Sequence, residues 1–154
     1  AIAEVATYAQ SQGVKAHGMN LGGRYVFPFG SVKFVPALHS SGYEIDGVMT
    51  YMGEASGIIL EAEDKKIYHA GDTALFSDMR LFAKDKSIDV AFLPIGDNYT
   101  MGPEDALEAV SYLNPEITIP IHYNTFPVIQ QNPAIFVEQV VGGKVLNPGE
   151  TILV

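Results

Sequence analysis

Four residues able to bind a metal ion or move a proton follow directly on apolar runs that read as strands. They are His39 after "VPAL", Asp72 after "IYHAG", Asp97 after "AFLPIG" and His122 after "TIPI". In open α/β sheets ligands gather at the carboxyl ends of strands, where loops present polar groups on a rigid support. Imidazole and carboxylate are donors favoured by Zn²⁺ and related first-row ions, and a carboxylate can also bridge two ions. Two His and one Asp would make a partial metal shell. Gly71 would let the chain pass close to an ion, and Thr73 is placed to hold the Asp72 carboxylate from behind. Each residue also has a plainer reading: a strand-end His as a hydrogen-bonded structural residue, Gly-Asp as an ordinary turn. His69 should point to the same side as Gly71 and away from Asp72, as a core histidine or a support for a ligand. His17, in "VKAHGMN", has no polar companion in sequence and reads as structural.

The elements that must position these residues follow from the patterning. Ile2, Val5, Ala6 and Ala9 lie on one helical face, with Gly13 as the stop. "RYVF" and "SVKFVPALH" form a hairpin around Pro28-Phe29-Gly30, and a Gly- and Ser-containing stretch runs on to Glu54. "SGIILEAE" and "KIYHAGD" form a second hairpin, turning at Asp64-Lys65. After it come a short helix in "SDMRLFAKD", a buried strand in "IDVAFLPIGD" and a helix in "PEDALEAVSYL", with Pro103 suited to its first turn. A strand in "EITIPIH", a helix in "NPAIFVEQVVGG" and a terminal strand pair in "KVLNPGETILV" complete the chain. Hairpins followed by strand-helix-strand-helix, with no repeat or linker, predict one layered α/β domain over residues 1–154.

Composition limits the function classes. The chain has 154 residues, 47% of them hydrophobic, enough to bury a core. Its 9 Lys and Arg against 18 Asp and Glu give a net charge of −9, the wrong sign for gripping a phosphate backbone. No nucleic-acid partner is expected. There is no cysteine, which excludes disulfides, thiolate nucleophiles and thiolate-bound zinc. No apolar run approaches the ~20 residues that span a bilayer, so the expectation is a cytoplasmic protein without a membrane partner.

Longer segments carry a resemblance. "HAGDTALFSDM", "DVAFLPIGDNYTMGPEDA" and "IPIHYNTFP" resemble the metallo-β-lactamase superfamily, in its little-characterised branch of metal-dependent hydrolases; "GVKAHGMNLGG" and "ALHSS" match the same branch in the same order. The resemblance implies an αββα four-layer sandwich with two metal ions at one edge. By motif, His39, Asp72 and His122 would be metal ligands, with Asp72 bridging, and Asp72 and His122 would be the residues nearest the chemistry. Asp97, Asn98, Tyr99 and Thr100 would shape the substrate-binding mouth. The implied reaction is hydrolysis of a small-molecule lactone, ester or phosphodiester by metal-activated hydroxide. Zn²⁺ is the expected ion, with Mn²⁺, Fe²⁺ and Ni²⁺ compatible with the same donors.

One part of the family pattern has no counterpart. The histidines stand at 17, 39, 69 and 122, so the early His-x-His-x-Asp-His motif is absent. The expectation is therefore the C-terminal two-thirds of such a hydrolase, with a sandwich incomplete at its N-terminus. Alone, such a chain would bind metal weakly and be nearly inactive, because a catalytic zinc usually has three protein ligands. It should form a homo-oligomer or associate with the missing N-terminal fragment. The alternative is a non-catalytic fragment or interaction module that keeps the fold.

Overall fold

The computed structural model describes all residues, 1–154. Three α-helices and eight strands follow in the order α1 (Ala3–Ser11), β1 (Arg24–Phe27), β2 (Gly30–Pro36), β3 (Gly42–Ile45), β4 (Val48–Tyr51), β5 (Ser56–Ala62), β6 (Lys65–His69), β7 (Val90–Pro94), α2 (Pro103–Leu113), β8 (Ile117–Ile121) and α3 (Pro133–Glu138). Six strands make one sheet in the order β1-β2-β5-β6-β7-β8, and β3-β4 is a separate hairpin. The first four strands of the sheet pair antiparallel; β6-β7 and β7-β8 are parallel. The predicted switch from hairpins to crossover units is thus built into one sheet.

That pairing decides where the strand ends go. β2 and β6 are both antiparallel to β5, so they run the same way, and β7 and β8 run with β6. All four therefore deliver their carboxyl ends to one edge of the sheet. His39, Asp72, Asp97 and His122 follow those ends.

The two faces of the sheet differ. Strand alternation places Val35, Ile59, Tyr68, Ala70, Ala91 and Leu93 on one face, packed with Met79, Ile88, Met101, Ala109 and Leu113. Helix α2 covers this face because its apolar stripe, Ala106, Ala109 and Leu113, is turned inward. Pro103 opens α2, Glu104 and Asp105 sit at its positive end, and Asn114 closes it in the left-handed conformation at φ 43°. Arg80, in a 3₁₀ turn over Ser77–Leu81, lies 3.8 Å above the Tyr112 ring and ties that turn to α2.

The opposite face is also apolar. Register places Tyr25, Val32, Leu60, Ile67, Val90 and Ile117 in one cross-strand row, with Phe34, Ile58, His69, Phe92 and Ile119 in the next. None of these residues belongs to either core cluster, and Tyr25 and Ile58 remain 45% and 38% exposed.

Three expectations are corrected. The stretch before Glu54 contains the β3-β4 hairpin, which turns at Asp46-Gly47 with φ 50° and 79°. "YEIDGVMTY" carried that signal, since Asp-Gly between alternating apolar residues favours a tight hairpin. The terminal strand pair does not form: Gly143 makes one bridge to Thr118, Lys144 N–H donates to the Thr118 carbonyl, and the remainder turns at Asn147–Glu150. The helix expected through Gly143 ends earlier, at Glu138.

Candidate metal centre

His122 stands one residue past β8 with φ 55°, a left-handed conformation that costs a non-glycine residue about 1–2 kcal/mol. It shares this strain with Asp97 and Asn98 beyond β7, at φ 61° and 48°, and with Asn124 at φ 60°. Strained residues collected at one sheet edge are a mark of a functional site, because the surrounding structure must hold them there.

The bend at His122 turns its ring toward the end of β6, where Nε2 lies 3.5 Å from Asp72 Oδ2. That separation is long for a hydrogen bond. Two ligands sharing one tetrahedral ion at about 2.0–2.1 Å would sit about 3.4 Å apart. The His122 side chain is 22% exposed and that of Asp72 47%, so the pair is held from below and open from above. His122 Nδ1 is buried and has no hydrogen-bond partner. The donor chemistry and the Nε2–Oδ2 separation fit a divalent ion; Nδ1 lies on the other edge of the ring, beside Gly96, and takes no part in that approach.

Gly96 makes the position of His122 possible. A Cβ at residue 96 would run into the His122 carbonyl oxygen and lie 3.1 Å from Nδ1. Sequence reasoning passed over this glycine; its signal was the "IGD" ending of β7. Gly71, at φ 66°, has the expected close approach, but to protein: a Cβ there would lie 2.7 Å from the Ser56 carbonyl.

The other predicted residues take distinct places. His39 is exposed, with Nδ1 2.8 Å from the Ser40 carbonyl, and no third His, Asp or Glu closes with Asp72 and His122 into a three-ligand set. Thr73 does not hold the Asp72 carboxylate. Its hydroxyl accepts the Leu38 N–H at 2.9 Å and donates to the Ala74 carbonyl at 2.8 Å. His69 is neither a core histidine nor bonded to a predicted ligand: it is exposed, its Nδ1 accepts the Gly71 N–H at 3.0 Å and its ring stacks on Phe92. Desolvation lowers the pKa of this imidazole, against the opposing pull of the Asp72 charge. His17 packs on Tyr25 and Phe27, the structural role expected of it.

Asp97 folds its own loop. Its Oδ1 accepts the Asn98 N–H at 2.8 Å, and its backbone N–H donates to the Met101 carbonyl at 3.0 Å. Thr100 donates its backbone N–H to the Asp97 carbonyl at 3.2 Å. Tyr99 projects from this loop, 55% exposed, and meets Phe126 of the loop beyond β8 edge to face at 6.1 Å. Asn124 Oδ1 accepts the Gln131 N–H at 2.8 Å and closes that second loop.

Comparison with known proteins shows the family and the fold. The model of the β-lactamase superfamily domain matches residues 2–123. A metal-dependent hydrolase of Enterococcus faecalis is 98% identical over 154 residues, covering 100% of this chain and 69% of the relative. One from Bacillus cereus is 54% identical over 153 residues, covering 97% of this chain and 67% of the relative. Among solved structures, Igni18, a metallo hydrolase from the archaeon Ignicoccus hospitalis, superposes with a TM-score of 0.86 at 36% identity. That match covers 98% of this chain and 66% of Igni18. The chain thus spans about two thirds of the length of these relatives.

Proposed function

Because this chain belongs to the metallo-β-lactamase superfamily, we propose that it carries part of the catalytic site of a metal-dependent hydrolase, centred on Asp72 and His122. The observation that carries the reading is the 3.5 Å approach of the His122 ring to the Asp72 carboxylate at the edge where four strands end. A divalent ion held there, Zn²⁺ by donor type, would supply Lewis-acid polarisation of a scissile carbonyl or phosphoryl group and a lowered pKa for water. Asp72 would offer a carboxylate oxygen and His122 its Nε2 to such an ion, the His122 ring being oriented by its left-handed backbone. His39, at the end of β2 on the same edge, does not close with the pair in this structure and would join the set only by moving toward it. The loop Asp97–Thr100 shapes one wall of the mouth, and Tyr99 with Phe126 presents an apolar surface to a small lactone, ester or phosphodiester. With only these ligands, the 154-residue chain binds metal weakly and turns over slowly. The rival reading, a non-catalytic module, draws its support from the lack of a third ligand beside the pair.

Calorimetric titration with Zn²⁺ separates the readings. The expected outcome is weak binding by the chain that disappears in Asp72→Asn and His122→Ala. Two tight sites would refute the proposed weakness, and binding untouched by both substitutions would refute the site.

A further inference from the structure

Thr73 is fully buried immediately beside Asp72, and its bonds reach both neighbouring strand ends. Its hydroxyl accepts the N–H of Leu38, the residue before His39, at 2.9 Å. Ala74 N–H returns a bond to the Leu38 carbonyl at 3.0 Å. On the other side the Thr73 carbonyl accepts the Met101 N–H at 2.9 Å, and the Met101 carbonyl in turn accepts the Asp97 N–H. One residue thus fastens the Asp72 loop to the approach to His39 through its side chain, and to the Asp97 loop through its backbone. The backbone bonds, including that from Ala74 N–H to the Leu38 carbonyl, do not depend on the side chain; the bond from the Leu38 N–H needs the hydroxyl.

We propose that Thr73 is a positioning residue that sets the spacing of His39 to Asp72 through the Leu38 amide, and so governs whether these two residues can share an ion. The inference rests on the metal-site reading above. The sequence suggested a hydroxyl bonded to the carboxylate; the structure assigns it to the neighbouring chain segment, so its effect should fall on His39. The hydroxyl of Thr73 is also committed twice, to Leu38 and to Ala74, which fixes its rotamer and leaves Leu38 little freedom.

Two substitutions separate the hydroxyl from the shape. Thr73→Val keeps the volume and removes the acceptor; Thr73→Ser keeps the acceptor and removes a methyl group. Zn²⁺ alone is titrated into the 154-residue chain while NMR follows the His39 and His122 rings separately. The expected result is a 10–100-fold loss of affinity at His39 in Thr73→Val, the range typical of residues that orient metal ligands, and retention in Thr73→Ser. In a His39→Ala background Thr73→Val should cost nothing further. Wild-type affinity in Thr73→Val, or an equal loss with and without His39, would overturn the proposal. If the wild-type chain shows no zinc response at either ring, the metal reading itself fails, and metal-free amide exchange decides the positioning role. Leu38 N–H should then be protected in wild type and Thr73→Ser and lose protection in Thr73→Val; equal protection in all three would overturn it.

Discussion

At the scale of single residues, the candidate site depends on atoms that are missing as much as on those present. His122 occupies its strained position because residue 96 has no side chain, and the void it fills is bounded by its own carbonyl and ring. Gly96→Ala should push His122 away from Asp72. The expected consequences are a stability loss of about 1–3 kcal/mol, as for other overpacked sites, and at least a tenfold weaker Zn²⁺ affinity. Calorimetry beside a urea melt checks both, and unchanged affinity would show that the ring position does not matter for binding. The candidate residues stand out in sequence as imidazoles and carboxylates after apolar runs, but position alone leaves the plainer structural readings open, and it is the resemblance of the longer segments that favours a metal site. The role of Thr73 is not legible there, because its partner Leu38 lies 35 positions away along the chain.

At the scale of elements, the parallel pairing of β6 with β7 needs an anchor at the end remote from the site. Asp89 provides it: Oδ2 accepts the Lys66 N–H at 2.7 Å, and Oδ1 lies 3.2 Å from Lys65 Nζ. Burial pushes the Asp89 carboxyl upward, but the Lys66 amide and the Lys65 charge outweigh it and leave its pKa below the ordinary value of 3.8. A carboxylate depressed in the folded state contributes its stability fully above the unfolded value and loses it as pH falls through the folded one. Asp89→Ala should therefore cost about 1–3 kcal/mol at neutral pH, and the gap between variant and wild type should narrow below about pH 4. Urea unfolding at pH 7 and pH 3 measures that gap; a constant difference would contradict the assignment. The regular elements were readable from their periods and punctuation, α2 above all with Pro103 at its start. The β3-β4 hairpin and the end of α3 were read less well. Asp46-Gly47 lies in a Gly- and Ser-containing stretch that composition alone leaves unassigned, and the apolar run after Glu138 continues a helical pattern that the chain abandons.

At the scale of the whole molecule, the sheet has one face under helices and one apolar face outside both cores. Phe34, Val90 and Ile119 on that face are already buried, while Tyr25 and Ile58 stay exposed, an apolar patch of the kind that favours a covering partner. We propose that a second copy of the chain covers it. The expected outcome is a light-scattering mass that rises with concentration, and a lower mass for Ile58→Glu, which places a charge in the middle of that face. A monodisperse wild-type monomer would count against it. No helix is long and apolar enough to cross a membrane.

The sequence by itself determined the order of hairpins and crossover units, the apolar alternation that makes a sheet, and the superfamily through long matching segments. These are local or near-local properties: period, turn chemistry and motif. Only the tertiary structure decided that β2 runs with β6, β7 and β8, so that all four candidate residues reach one edge, because strand direction is set by pairing between segments far apart in the chain. It also decided that His122 faces Asp72 and that Leu38, the residue before His39, is bonded to Thr73. Such contacts depend on backbone conformations and side-chain exclusions that no single segment encodes.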